Sequence, residues 1–183
     1  MAISPEIDFE RKTIKGVQLD MGEMQIRIGL GYDLHRLTEG RRLVLGGVHI
    51  PYEKGLLGHS DADVLLHATC DALLGAAGLG DIGRHFPDTD PALAGAPSER
   101  FIRQSVTMIT KAGFSLNNLD ATIIAEAPRL TPYFSEMVGN ISEMLGVLPG
   151  CINLKATTNE GLGPIGRGEA MAAMCVVSLS VKE

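Results

Sequence analysis

Apolar and polar positions change period several times along the chain, and the changes mark out its elements. Residues 26–32 (IRIGLGY) read as a strand weakened by glycines, and residues 42–50 (RLVLGGVHI) as a second strand with a Gly-Gly break. The glycines mark either a turn or a close packing contact. Ser60 stands as an N-cap with Asp63 three residues on, ahead of Val64, Leu65, Ala68, Ala72, Leu73 and Ala76, which predicts a helix from about 61 to 78. A loop rich in Gly, Asp and Pro follows over 80–97, longer than a plain connector. Ser98 then caps a second helix with Phe101, Ile102, Val106 and Ile109 on one face, ended by Gly113. Residues 120–125 read as a strand, Thr131-Pro132 opens a third helix that Gly146 closes, and two strands follow at 152–157 and 170–181.

The order β, β, α, α, β, α, β, β predicts an α/β fold of the two-layer α+β kind, a mixed β-sheet with helices packed on one face. Met174, Cys175, Val176 and Val177 are apolar in succession, so both faces of that strand are expected to be buried. The second face meets either another subunit or more of the same chain, and the pattern alone does not separate the two. Residues 1–25 are polar and without periodicity, an N-terminal extension for which flexibility is the expectation. Residues 26–183 are expected to form a single domain, in keeping with a 183-residue chain that is 45% apolar.

A net charge of −6 and a pI near 5.4 exclude duplex nucleic acid as the main partner, because no basic stripe is present to meet a phosphate backbone. A small phosphorylated ligand stays open, since a metal can supply positive charge locally. Cys70, Cys151 and Cys175 are odd in number and far apart, which points away from a disulfide framework or thiolate zinc site and toward a reducing, cytoplasmic setting. The first twenty-five residues carry acids and no apolar core, unlike a secretory or transit segment, and no later stretch has the apolar length of a membrane span.

Asp33 and His35 stand two apart where the first strand is read to end, so both side chains leave on one face if the strand continues. Asp63, His67 and Asp71 follow one another at four-residue steps on the first helix. One carboxylate and two imidazoles suit zinc, and three protein ligands leave a fourth tetrahedral position for a phosphate oxygen. Asp63 or Asp71 would then hold the His67 ring in one tautomer. The competing reading makes His67 a satisfied helix histidine and the D-x-H pair an ordinary strand end. His49 and His85 read as surface or packing residues, and His59, ahead of the helix cap, as a phosphate ligand. Gly161, Gly163 and Gly166 match a dinucleotide fingerprint in spacing, but a β-type run follows where a Rossmann turn needs a helix. The same loop either admits a phosphate, with Thr157 and Thr158 as donors and Glu160 as a hard ligand for Mg²⁺, or is a plain glycine-rich turn.

Longer motifs carry a family resemblance. G-Y-D-L-H at 31–35, G-G-V-x-I-P-Y-E-K-G-L-L-x-H-S-D-A-D at 46–63, H-A at 67, D-A-L-L-G-A-A at 71, G-D-I-G at 80, F-P-D-T-D-P at 86, K-A-T-T-x-E at 155 and G-R-G-E at 166 occur in order. From Ile26 onward the chain resembles the 2-C-methyl-D-erythritol 2,4-cyclodiphosphate synthases of non-mevalonate isoprenoid synthesis. The resemblance implies a homotrimer with active sites between adjacent subunits. It also implies conversion of 4-diphosphocytidyl-2-C-methyl-D-erythritol 2-phosphate to the 2,4-cyclodiphosphate with release of CMP.

In that likeness Asp33, His35 and His67 hold one catalytic Zn²⁺ per subunit, and Glu160 holds Mg²⁺ or Mn²⁺ bound with the substrate. Thr158, with Thr157, holds the diphosphate; His59 and Ser60 bind the attacking phosphate; Asp81, Ile82, Gly83 and Asp88 hold the methylerythritol; and Asp63 supports the metal ligands. The loop from Ala125 to Leu130, with Arg129, reads cytosine mainly through backbone groups. Some family members carry an aromatic residue at the position of Pro164 beside a cavity on the trimer axis; here the stacking is lost and Arg167 remains as the charged donor. Two other classes are open, a metal-dependent phosphohydrolase that uses an activated water on such a diphosphate, and a non-catalytic binder of cytidine nucleotides.

Overall fold

The glycines of the first strand are where the helical layer touches the sheet. A computed structural model describes residues 7–8, 13–14, 17–18 and 26–181. In it β1 (Ile26–Glu39) lies against α1 (Val64–Ala77) so closely that a Cβ on Gly29 would stand 1.9 Å from the Ala72 carbonyl oxygen, and one on Gly31 1.8 Å from that of Ala68. These two glycines therefore mark close packing. Gly46 and Gly47, with φ of 59° and 73°, instead form the turn of a hairpin, β2 (Leu43–Leu45) with β3 (Val48–Ile50). The 42–50 segment is thus two short strands in a separate sheet. A further three-residue strand, β4 (Lys54–Leu56), pairs with the end of β1 and is too short to show a period in the sequence.

After α1 come a one-turn helix α2 (Ile82–His85), α3 (Glu99–Lys111), β5 (Phe114–Ile124), α4 (Phe134–Leu145), β6 (Ile152–Thr157), a second one-turn helix α5 (Gly163–Gly166) and β7 (Ala170–Val181). The main sheet runs β4-β1-β7-β5-β6, antiparallel except for the β5–β6 pair. It is the mixed sheet expected, with α1 on β1 and β7 and with α3 and α4 beside it. β1 is twice the length read from the sequence: pairing with β7 continues to Arg36↔Ala170, so Asp33 and His35 lie inside the strand. The one-turn α5 after the glycine loop, followed directly by β7, is not a Rossmann helix.

Two terminal assignments change. The α1 cap is Asp63, whose carboxylate accepts from the Leu65 and Leu66 N–H groups, and not Ser60. The third helix begins with a 3-10 turn at Thr131–Tyr133 before α4 proper. The flexible extension expected over 1–25 lies largely outside the described residues, whose members there are three two-residue strands, Ile7–Asp8, Thr13–Ile14 and Val17–Gln18.

The two faces of the sheet differ. Toward the helices, Ala121, Ile123, Ala173, Cys175 and Val177 are closed off within the core, and burial pushes the Cys175 thiol up to about 12. On the opposite face Ile28, Leu30, Tyr32, Leu34, Met174 and Val176 are exposed, Ile28 by 71% and Leu30 by 61%. The apolar run of 174–177 therefore buries only alternate residues within the chain.

Gly31→Ala should lower stability by about 3 kcal/mol, because its neighbour is a carbonyl that cannot step aside. The corresponding fall in Tm is about 10 °C. Gly139→Ala, in α4 with open space around it, should raise stability by about 0.5–1 kcal/mol. Thermal unfolding of both variants checks the contrast; equal effects would mean that the strand–helix approach does not govern packing.

Candidate active site

The extended backbone of β1 sends Asp33 and His35 to the same face, toward α1, whose first turn supplies His67. Asp33 Oδ2 lies 3.0 Å from His35 Nε2 and 2.9 Å from His67 Nδ1, and those two nitrogens are 3.2 Å apart. Tetrahedral ligands about 2.05 Å from a zinc ion are about 3.3 Å from one another, so the trio is already near the size of one coordination face.

The outer ring nitrogens fix the tautomers. His35 Nδ1 meets the Leu57 carbonyl oxygen at 2.8 Å, and a carbonyl only accepts, so the proton is on Nδ1 and the Nε2 lone pair faces inward. His67 Nε2 meets the hydroxyls of Ser98 at 2.9 Å and Ser60 at 3.1 Å, which turns Nδ1 inward. Two lone pairs and a carboxylate then converge, an arrangement that repels itself unless a cation sits among them. These are the Asp33, His35 and His67 of the zinc reading, and the donor set fits that ion.

In the metal-free protein a proton takes the place of the cation: burial pushes the Asp33 carboxyl up, but the hydrogen bonds it then accepts from His35 and His67 outweigh burial and hold it well below the usual carboxylate range. The same bond to Asp33 raises His35 above its ordinary value against the effect of burial.

The trio opens onto a cleft of about 480 Å³. His59, Ser60, Ile82, Gly83 and Asp88 line it together with the metal-ligand candidates. Phe86 and Phe101, stacked 4.9 Å apart, and Leu93 give it an apolar wall, a role that the sequence reading assigned to none of them. Asp81 sits at the α2 cap, accepting from Arg84 N, and is not part of the lining.

Both carboxylates assigned to support His67 are used elsewhere. Asp63 is wholly buried and accepts from Leu65 N, Leu66 N and Gly47 N, binding the hairpin turn to the start of α1. Burial pushes its carboxyl up. Asp71 accepts from Ile82 N at 2.7 Å and so holds the cleft-lining segment against α1. Because Asp63 accepts from Leu65 N and Leu66 N, an anion at His59 and Ser60 would meet their side chains and not those two helix N–H groups.

The remaining candidates form a second group. The Ala125 N–H donates to the Thr157 carbonyl oxygen, and Glu126 accepts from Asn159 N at 2.8 Å and Gly161 N at 3.3 Å, joining the 125–130 loop to the 157–161 loop. Thr158 Oγ1 donates to Glu160 Oε1 at 3.1 Å. Arg129 is exposed on this loop and Leu130 buried beneath it. The register Asp33↔Ala173, Ala173↔Ile123, Ile123↔Ala156 puts the groups three strand spacings apart, about 14 Å. None of the 125–130 or 157–160 residues lines the cleft. Arg167 belongs to neither group; it pairs with Glu169 beside Arg36 and Lys54.

A family model described as the YgbB family matches residues 26–180. The 2-C-methyl-D-erythritol 2,4-cyclodiphosphate synthase of Ralstonia pickettii is 59% identical over 86% of this chain and 94% of its own. Among solved structures, the bifunctional IspDF of Campylobacter jejuni has a TM-score of 0.85 and 43% identity, covering 88% of this chain and 44% of that one. IspF of Plasmodium falciparum in complex with CDP has a TM-score of 0.76 and 35% identity over 86% of this chain and 97% of its own.

The raised His35 pKa gives a pH test on chelator-stripped protein. A folded-state value above the ordinary 6.5 means stabilisation that is complete below 6.5 and lost as pH rises through the folded value. Melting temperature should therefore fall as pH is raised from 6.5, and His35→Gln should remove that fall. The Asp63 window, between 3.8 and about 6, lies below this range. A flat profile above 6.5 in the parent chain would contradict the pairing.

Proposed function

The chain belongs to the YgbB family, and from that premise we propose that it converts 4-diphosphocytidyl-2-C-methyl-D-erythritol 2-phosphate to 2-C-methyl-D-erythritol 2,4-cyclodiphosphate and CMP, in the non-mevalonate route to isoprenoid precursors. It is a phosphorus-oxygen lyase acting on a small-molecule substrate, and the observation that carries the reading is the convergence of the Asp33, His35 and His67 donor atoms at one edge of a cleft.

An oxygen of the 2-phosphate attacks the β-phosphorus of the same molecule, and the bond from that phosphorus to the bridging oxygen breaks, so CMP leaves with the bridging oxygen. Both reacting groups are on one molecule, and the protein's task is to fold it into line. Zn²⁺ held by Asp33, His35 and His67, with Mg²⁺ or Mn²⁺ at Glu160, would supply Lewis-acid polarisation of the phosphate oxygens and neutralise their charge.

The residues of the cleft do the positioning. The Asp90 carbonyl oxygen accepts from His59 Nε2 at 3.1 Å and fixes the ring at the cleft edge, where it meets the attacking phosphate. Ser60 Oγ accepts from Ala62 N and keeps its own proton for the same phosphate. Ile82, Gly83 and Asp88, with Asp81 at the α2 cap, hold the methylerythritol, and Phe86 and Phe101 keep bulk water from its carbon skeleton. Thr157, Thr158 and the loop of Ala125, Arg129 and Leu130 hold the diphosphate and cytosine.

The second group stands about 14 Å away across the sheet, which supports a site assembled from two chains. The exposed apolar face around Leu30, Tyr32, Leu34, Met174 and Val176 is the surface through which a homotrimer would form. No helix among the described residues is long and apolar enough to cross a membrane. A cytoplasmic setting suits its unpaired cysteines.

³¹P NMR of the protein with substrate and Mg²⁺ should show a cyclic diphosphate and CMP. His67→Ala should slow both by about a thousandfold or more, since it removes a ligand of the Lewis acid. Inorganic phosphate in place of the cyclic product would indicate a phosphohydrolase.

A further inference from the structure

His67 is held by a side chain that comes from a distant part of the chain. Ser98 occupies the N-cap position of α3, yet its hydroxyl makes no capping bond to that helix. It is wholly buried, and its Oγ lies 2.9 Å from His67 Nε2 while also donating to Asp61 Oδ1. The other oxygen of Asp61 accepts from Ser98 N at 3.0 Å, so one carboxylate grips both the hydroxyl and the backbone of Ser98. The segments around them are joined as well, Asp61 N donating to the Ala96 carbonyl oxygen and Gly95 N to that of His59.

A second local irregularity serves the same arrangement. Ala62 is wholly buried with φ of 58°, a conformation that residues with a Cβ rarely adopt. It turns the chain so that Asp61 reaches Ser98 while Asp63 reaches the start of α1. A missing cap and a left-handed alanine meet at one place, where local preference has given way to something else.

We propose that Ser98 and Asp61 are positioning residues for the metal ligand His67: the imidazole Nε2–H donates to Ser98 Oγ, and the Ser98 hydroxyl in turn donates to Asp61. The chain of hydrogen bonds runs one way. Asp61 accepts only, Ser98 is therefore the donor to it, and the free lone pair of Ser98 is left for the imidazole. The Nδ1 lone pair of His67 is thereby aimed at Asp33 and His35. Ser60, on the same nitrogen at 3.1 Å, accepts from Ala62 N and has no carboxylate behind it, so it faces the substrate. Asp61 and Ser98 thus hold the place that the sequence had given to Asp63 or Asp71.

The proposal rests on the metal reading above, and the test separates the two. Zinc affinity is measured by chelator competition for the full-length protein and for Ser98→Ala and Asp61→Asn, with thermal unfolding of the metal-free forms. Both variants should bind zinc about 10- to 100-fold more weakly. The visible bands of their Co²⁺ forms should shift, while the metal-free melting temperatures stay close to the parent's. Asp61→Asn keeps an acceptor for Ser98 N and decides the matter if Ser98→Ala fails to fold. Parent-like zinc affinity and an unshifted Co²⁺ spectrum in a folded variant would overturn the proposal. A parent protein that binds no zinc would remove the metal reading itself.

Discussion

The close approach of β1 to α1 sets the geometry on which everything else depends. Two residues of a strand advance about 6.6 Å and four residues of a helix about 6 Å, so an antiparallel strand and helix can stay in step over several contacts. Gly29 opposite Ala72 and Gly31 opposite Ala68 are two such contacts. Continuing the step brings Asp33 and His35 to the first turn of α1, where His67 stands. Side chains at 29 or 31 would hold helix and strand apart, and three donor atoms now about 3 Å from one another would no longer share one ion.

That approach also divides the labour of the sheet. The helix-facing side is consumed by packing, and Cys70 and Cys175 are buried in it as inert thiols whose pKa values burial raises. The other side keeps an apolar surface on β1 and β7 that no element among the described residues of the chain covers, apart from Ile165 of α5 over Ala170 and Ala172. Meanwhile the residues proposed to hold the substrate are split between a cleft at β1 and the loops that follow β5 and β6. An acidic chain handling the proposed polyanionic substrate needs cations at the point of reaction, and the proposed ions would supply one to each half, Zn²⁺ in the cleft and Mg²⁺ or Mn²⁺ at Glu160. In the proposed trimer, joining apolar faces and joining half-sites would be one event.

Much of this was legible in the residues. The apolar stripe of α1 was enough to find the helix and the order of elements to find the sheet class, whereas the D-x-H pair and His67 stood out as a ligand trio only with the family resemblance beside them. The end of β1 was misjudged because Asp33, His35 and Arg36 interrupt the apolar alternation, and pairing with β7 from the far end of the chain keeps them extended. The α1 cap was misplaced because Ser60, Asp61 and Asp63 are all good capping residues, and only the backbone path through Ala62 decides which carboxylate reaches two N–H groups. The partner of His67 was missed for a related reason. Helical spacing offered Asp63 and Asp71, but both are bound to backbone N–H groups, while Ser98 arrives from the next helix with a signature that reads only as a cap.

The central claim, a metal site and a loop cluster joined across a chain boundary, is tested most directly by mixing subunits. His67→Ala and Glu160→Ala chains, each inactive alone, are unfolded together, refolded and assayed for cyclic diphosphate. Sites built from two chains should return about a quarter of parent activity, since random assembly pairs an intact half from each variant in that fraction of interfaces. No recovery, with mixed oligomers shown to be present, would mean that each site lies within one chain.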